Sequence, residues 1–114
     1  MAQAVERDER VARFRREVLP ALVARYRPER VIVFGSRARG DALKHSDLDL
    51  LIVAAAFREV PWLERGPRVV EECDIRLGAE LLCYTPEEYT RKLAELGIVR
   101  TATAEGVELL ELGA

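Results

Sequence analysis

Val31-Ile32-Val33-Phe34-Gly35-Ser36 and, after ten intervening residues, Asp47-Leu48-Asp49-Leu50-Leu51-Ile52-Val53 decide the fold. Each holds a short β-branched and aliphatic run, too brief for a helix and too apolar for a loop, which reads as a buried strand. Gly35 stops the first run. On the second, the two-residue period of a strand puts Asp47 and Asp49 on one face and turns Leu48 and Leu50 to the other, toward a core.

Upstream, Val5, Val11, Phe14, Val18, Leu22 and Tyr26 recur at spacings near three and four, which predicts an amphipathic helix from Val5 to Tyr26. Pro20 should kink or divide it, and Pro28 ends it. Downstream, Phe57 to Cys73 carries a mixed signal, interrupted by Pro61 and Gly66-Pro67, and predicts a loop and one helix. Glu80-Leu81-Leu82-Cys83-Tyr84 is a third strand candidate. Thr85 as N-cap, Pro86 at the first helical position and Glu87 and Glu88 in the first turn then start a helix to about Leu96 and Gly97, with Leu93 and Leu96 read as core-facing. A short helix from Ile98 to about Glu105 follows, and residues 107–112 read either as an edge strand or as a helical turn. This order predicts an α/β fold of the α+β type: a small mixed sheet of three to four strands flanked by helices.

The 114 residues suit one domain over 1–114, able to bury a core without disulfides or structural metal. Eighteen basic against 20 acidic residues leave a net charge of -2, which excludes binding to nucleic acid by bulk charge. Any phosphate binding must be local. No apolar stretch approaches a membrane span and the charged start lacks a signal-peptide core, so a cytoplasmic protein without membrane contact is expected. Cys73 and Cys83, with no C-x-x-C spacing, read as small buried hydrophobes.

The chemistry concentrates between the first two strands. Both serines, Ser36 and Ser46, and the one histidine, His45, fall there with Gly35 and Gly40. Gly35-Ser36 can turn the chain so that backbone N–H groups and the Ser36 hydroxyl face an anion, with Arg37 and Arg39 adding positive charge. A P-loop is excluded, because Asp41-Ala42 stand where Lys and Ser or Thr are required. Asp47 and Asp49 repel each other at this spacing, a penalty that divalent cations remove. All-oxygen donors favour Mg²⁺ or Mn²⁺ over zinc. Read alone, the pair is equally a solvated strand end, Arg37 and Arg39 a solvated face, and Lys44 and His45 loop residues that touch nothing.

Gly35-Ser36, ten residues, then Asp47-x-Asp49 is similar to the G-S-x10-D-x-D pattern of the nucleotidyltransferases related to DNA polymerase beta. Within that superfamily the chain resembles the minimal nucleotidyltransferases. The resemblance implies a polymerase beta palm-like fold in which Gly35 and Ser36, with Arg37, Arg39 and Ser46, meet the nucleotide's phosphates. It further implies that Asp47 and Asp49 hold two metal ions. The family's third carboxylate, an aspartate on a later strand, falls on Glu80 here, one methylene longer; Asp74 is a weaker rival. Asp47, Asp49 and Glu80 are thus the expected catalytic and metal-holding residues.

The implied activity is transfer of NMP from ATP or another NTP to a hydroxyl. Family members of this size act beside a HEPN-domain toxin, adenylylating one of its tyrosines, so the resemblance implies an antitoxin with a HEPN-domain partner encoded nearby, in a homo- or hetero-oligomer. Two other readings stand beside it. One is a binding module that keeps the fold and occludes its partner without catalysis; the other is a sugar-nucleotide transferase, in which the Gly-Ser turn has no role.

Overall fold

The computed structural model describes residues 2–110. Its centre is the pair of strands just quoted: β1 (Arg30–Phe34) runs antiparallel to β2 (Leu48–Val53), with Phe34 opposite Asp49 and Val33 opposite Leu50. β3 (Ala79–Tyr84) joins the other edge of β2 in parallel, and its register sets Glu80 beside Asp49. β4 (Val107–Glu108) pairs antiparallel with β1, giving the order β3-β2-β1-β4. Residues 107 and 108 of the ambiguous tail are therefore an edge strand; residues 111 and 112 lie outside the described residues. The sheet is mixed and four-stranded, with helices on both faces, as the sequence pattern predicts.

The predicted first helix is three helices: α1 (Ala2–Arg7), α2 (Glu9–Glu17) and α3 (Leu19–Tyr26). The second break is at the proline, with Pro20 in the first turn of α3. The first is at Asp8, whose extended backbone interrupts the helix and whose carboxylate accepts hydrogen bonds from the N–H groups of Arg10 (2.9 Å) and Val11 (3.1 Å). After β2 comes a 3-10 turn (Ala55–Glu59) and then α5 (Trp62–Glu72), which runs on through Pro67. α6 (Pro86–Leu93) starts with a full capping box, Thr85 and Glu88 each bonding the other's backbone N–H. It stops earlier than predicted, because Ala94 and Glu95 bond back three residues, tightening the last turn. Leu93 packs inward, but Leu96 is 89% exposed, contrary to the core-facing expectation. α7 (Ile98–Glu105) closes the second face.

Strand alternation sorts the sheet into two apolar layers. Val31, Val33, Leu48, Leu50, Ile52 and Cys83 meet Phe14, Leu22, Phe57 and Val69 from the first helices, the 3-10 turn and α5. Ile32, Leu51, Val53 and Tyr84 meet Tyr89, Val99 and Ala102 from α6 and α7. Burial of such side chains contributes on the order of 1.5–3 kcal/mol each, which makes β2, sealed on both faces, the anchor of the molecule. Both cysteines are buried and free, and burial pushes the Cys83 thiol up to about 12. Among the described residues no helix is long and apolar enough to cross a membrane.

Two buried arginines tie the layers together. Arg65 on α5 donates to the carbonyls of Val60 (2.9 Å) and Cys83 (3.1 Å) and to both carboxylate oxygens of Glu88 (2.6 and 3.3 Å). It thereby joins α5, β3 and α6, and its hydrogen bonds hold the Glu88 carboxyl below the ordinary glutamate range. Arg37 is the other, and it bears on the site.

Candidate functional site: three carboxylates beside a glycine turn

Asp47, Asp49 and Glu80 come together at one end of the sheet face that α6 and α7 cover farther along. Asp49 and Glu80 are register neighbours on parallel strands, and Asp47 precedes β2 by one residue on the same side as Asp49. Asp47 and Glu80 are exposed, whereas Asp49 is half-buried. That burial pushes the Asp49 carboxyl above the ordinary aspartate range. The charge of Glu80, a hydrogen bond shared with it and the charge of Asp47 push the same way, while Arg39 works against them.

Two glycines make room for the acids. Gly35 opens α4 (Gly35–Arg39) with a φ of 73°, in the left-handed region, and a Cβ there would overlap Asp49 Oδ2. The residue is glycine for two independent reasons, backbone and space. At Gly78, just before β3, the space is taken by two side-chain ends: a Cβ would overlap Asp47 Oδ1 and meet Arg10 Nη1 at 3.1 Å. Each aspartate thus lies directly against backbone, Asp49 on the turn after β1 and Asp47 on the turn before β3.

Of the phosphate-site residues read from the sequence, Gly35 and Ser36 stand half-buried at the turn against Asp49, and Arg39 is exposed at the end of α4, in a 3.2 Å salt bridge with Asp41. Arg39 also lines a cavity of about 530 Å³ with Gln3, Arg7 and Gly40. Ser46 serves its own loop, its hydroxyl accepting from Leu43 N–H at 3.1 Å.

Arg37 departs from the phosphate role expected of it. Its side chain is only 8% exposed and its guanidinium is fully engaged: with Asp8 (2.9 and 3.2 Å) and with the carbonyls of Leu43, Lys44 and Ser46 (2.8 to 3.3 Å). Nε also donates to Ser46 O at 3.0 Å, so no N–H is left for a ligand. Arg37 instead holds the loop that delivers Asp47, fastened to the start of α2. Lys44 and His45 are exposed, and Asp74 is an exposed residue before Gly78, in a 3.0 Å salt bridge with Arg76.

The donor set is all carboxylate oxygen, which suits a hard divalent cation. Among the described residues, however, no three acidic, histidine or cysteine groups converge into a ready ligand sphere. What the arrangement offers is a negatively charged floor beside a glycine turn, the combination needed to gather cations and an anionic substrate at one place.

The family model described as the nucleotidyltransferase domain matches residues 15–100, and the chain belongs to that family. Among solved structures it is similar to a candidate nucleotidyltransferase from Sulfolobus solfataricus. That match has 25% identity and a TM-score of 0.60, and covers 94% of this chain and 83% of the other. No curated protein matches the chain. Family and fold together support nucleotidyl transfer as the general activity.

Proposed function

We propose that the chain moves a nucleoside monophosphate from ATP, or another NTP, to a hydroxyl acceptor, releasing pyrophosphate. The carrying observation is Asp49, seated against the Gly35 turn with Glu80 beside it in register and Asp47 two residues before it. Two divalent cations, Mg²⁺ or Mn²⁺, would neutralise the triphosphate and acidify the acceptor hydroxyl when bound. Asp47, Asp49 and Glu80 are the residues to hold them. Gly35 and Ser36 receive phosphate oxygens, with Arg39 close enough to act on the charge of Asp49. No covalent enzyme intermediate is required, so the protein's part is positioning and charge.

For the acceptor we propose a tyrosine of a HEPN-domain protein encoded nearby, with this chain acting in the cytoplasm as its antitoxin. The exposed Trp62, Leu63 and Ile98 give such a partner apolar surface to meet. The test is incubation with α-phosphate-labelled ATP and Mg²⁺, alone and with that neighbour. Label on the partner that vanishes in Asp47→Ala and Glu80→Ala variants is the expected result; label unaffected by Asp47→Ala refutes the assignment.

A second reading, occlusion of the partner without catalysis, is favoured by glutamate at position 80 and by the absence of a convergent ligand sphere among the described residues. Neutralisation of the partner without ATP and Mg²⁺, surviving Asp49→Ala, would establish it.

A further inference from the structure

α2 brings one cation to the site that the Gly-Ser and acid-pair pattern leaves out. Arg10, in the first turn of α2, reaches Gly78, where its Nη1 and Asp47 Oδ1 close on the same point. The two are neighbours but form no salt bridge, and Arg10 makes none with any other described residue. Arg10 is half-buried, and among the described residues none accepts from the five donors of its guanidinium. Its placement is well determined. Asp8 fixes the start of α2 through the Arg10 and Val11 N–H groups and, through Arg37, fixes the loop that carries Asp47. One carboxylate therefore ties down the backbone at Arg10 and, through Arg37, the loop before Asp47.

We infer that Arg10 is a substrate-contacting residue of this site, its guanidinium donating to a triphosphate oxygen of the nucleotide held over Asp47. The inference rests on the nucleotidyltransferase reading. Arg10 and Asp47 lie side by side without an ion pair, so the guanidinium keeps donors for an anionic oxygen brought in beside the aspartate. Planar guanidinium suits phosphate oxygens better than an ammonium does.

The test is calorimetric titration of the protein and its Arg10→Ala and Arg10→Lys variants. The titrants are ATP, GTP, CTP and UTP with Mg²⁺, inorganic triphosphate with Mg²⁺, and Mn²⁺ alone. Asp8 caps α2 through the backbone N–H of residue 10, so the cap survives either substitution and an unchanged melting curve is expected. In Arg10→Ala, nucleotide and inorganic triphosphate should both bind about 10- to 100-fold more weakly, the worth of one charge-assisted hydrogen bond. Arg10→Lys should fall between, and Mn²⁺ affinity should not fall. Unchanged nucleotide affinity in Arg10→Ala overturns the role of Arg10 and leaves the reading of the site intact. Tighter Mn²⁺ binding with unchanged nucleotide affinity makes Arg10 merely a counter-ion to Asp47, which also overturns it. If the unaltered protein binds no nucleotide, both fall together.

Discussion

Asp8 is the sharpest place to test how the site is held, because it does two separable jobs. Its carboxylate caps α2 and pairs with Arg37, and both side chains are nearly sealed, at 12% and 8% exposed. Asp8→Ala removes the cap, about 1 kcal/mol, and strands a buried guanidinium, about 3–5 kcal/mol when nothing replaces the partner. The carbonyls of Leu43, Lys44 and Ser46 still bond Arg37, so the lower end applies and the sum is about 4 kcal/mol. Asp8→Asn keeps a capping oxygen of equal quality and loses only the charge, for roughly 2–3 kcal/mol. Against a total of about 5–15 kcal/mol, the alanine variant stands at the margin and the asparagine variant folds. Urea unfolding followed by circular dichroism gives both values. An Asp8→Asn variant within about 0.5 kcal/mol of the parent would refute the ion pair as a structural element. Equal losses in the two variants would refute the cap.

Gly35→Ala forces a left-handed backbone on alanine, about 1 kcal/mol, and drives a methyl group into the Asp49 carboxylate. Nucleotide transfer should be abolished, while the melting temperature drops only by about 5–10 °C. Arg65→Ala leaves Glu88 and the Cys83 carbonyl without their partner and should lower stability by about 3 kcal/mol in denaturant titration, with little effect on nucleotide binding. For Asp49 the sign follows from its raised pKa. A carboxyl raised in the folded state favours folding most below its unfolded pKa, and that contribution is lost as pH rises through the folded value. Asp49→Asn should therefore raise the melting temperature of the metal-free protein at neutral pH and leave it unchanged at acid pH, as calorimetry would show. For Glu88, lowered by Arg65, the sign reverses: its contribution is present above the unfolded pKa and lost as pH falls through the folded one.

The two central strands were legible because unbroken apolar runs bounded by glycine admit few other structures, and the shared face of Asp47 and Asp49 followed from strand period alone. Glu80 beside Asp49 depends on a parallel register between strands some thirty residues apart, which came from the family resemblance and not from any local pattern. The break at Asp8 was within reach, since Asp followed by Glu9 is a helix-start signal inside a longer apolar periodicity. Arg37 was misread because an arginine beside a phosphate-type turn looks the same whether it faces solvent or a buried partner 29 positions away. Arg65 hid in the same way, as one charge among many on a helix, and Arg10 and Gly78 carry no local mark of the contact that joins them.

The fit of each aspartate against a glycine makes substitutions at these positions interdependent. A methyl group at Gly78 would press on the Asp47 carboxylate and Arg10, both ends of flexible side chains that can shift. Once Asp47 is replaced by a smaller residue, alanine at 78 becomes nearly free, and once alanine is there, an aspartate restored at 47 has to turn its carboxylate elsewhere. Loss of the acid and loss of the glycine are thus coupled: the first eases the second, and the second displaces a restored carboxylate from the place it holds now.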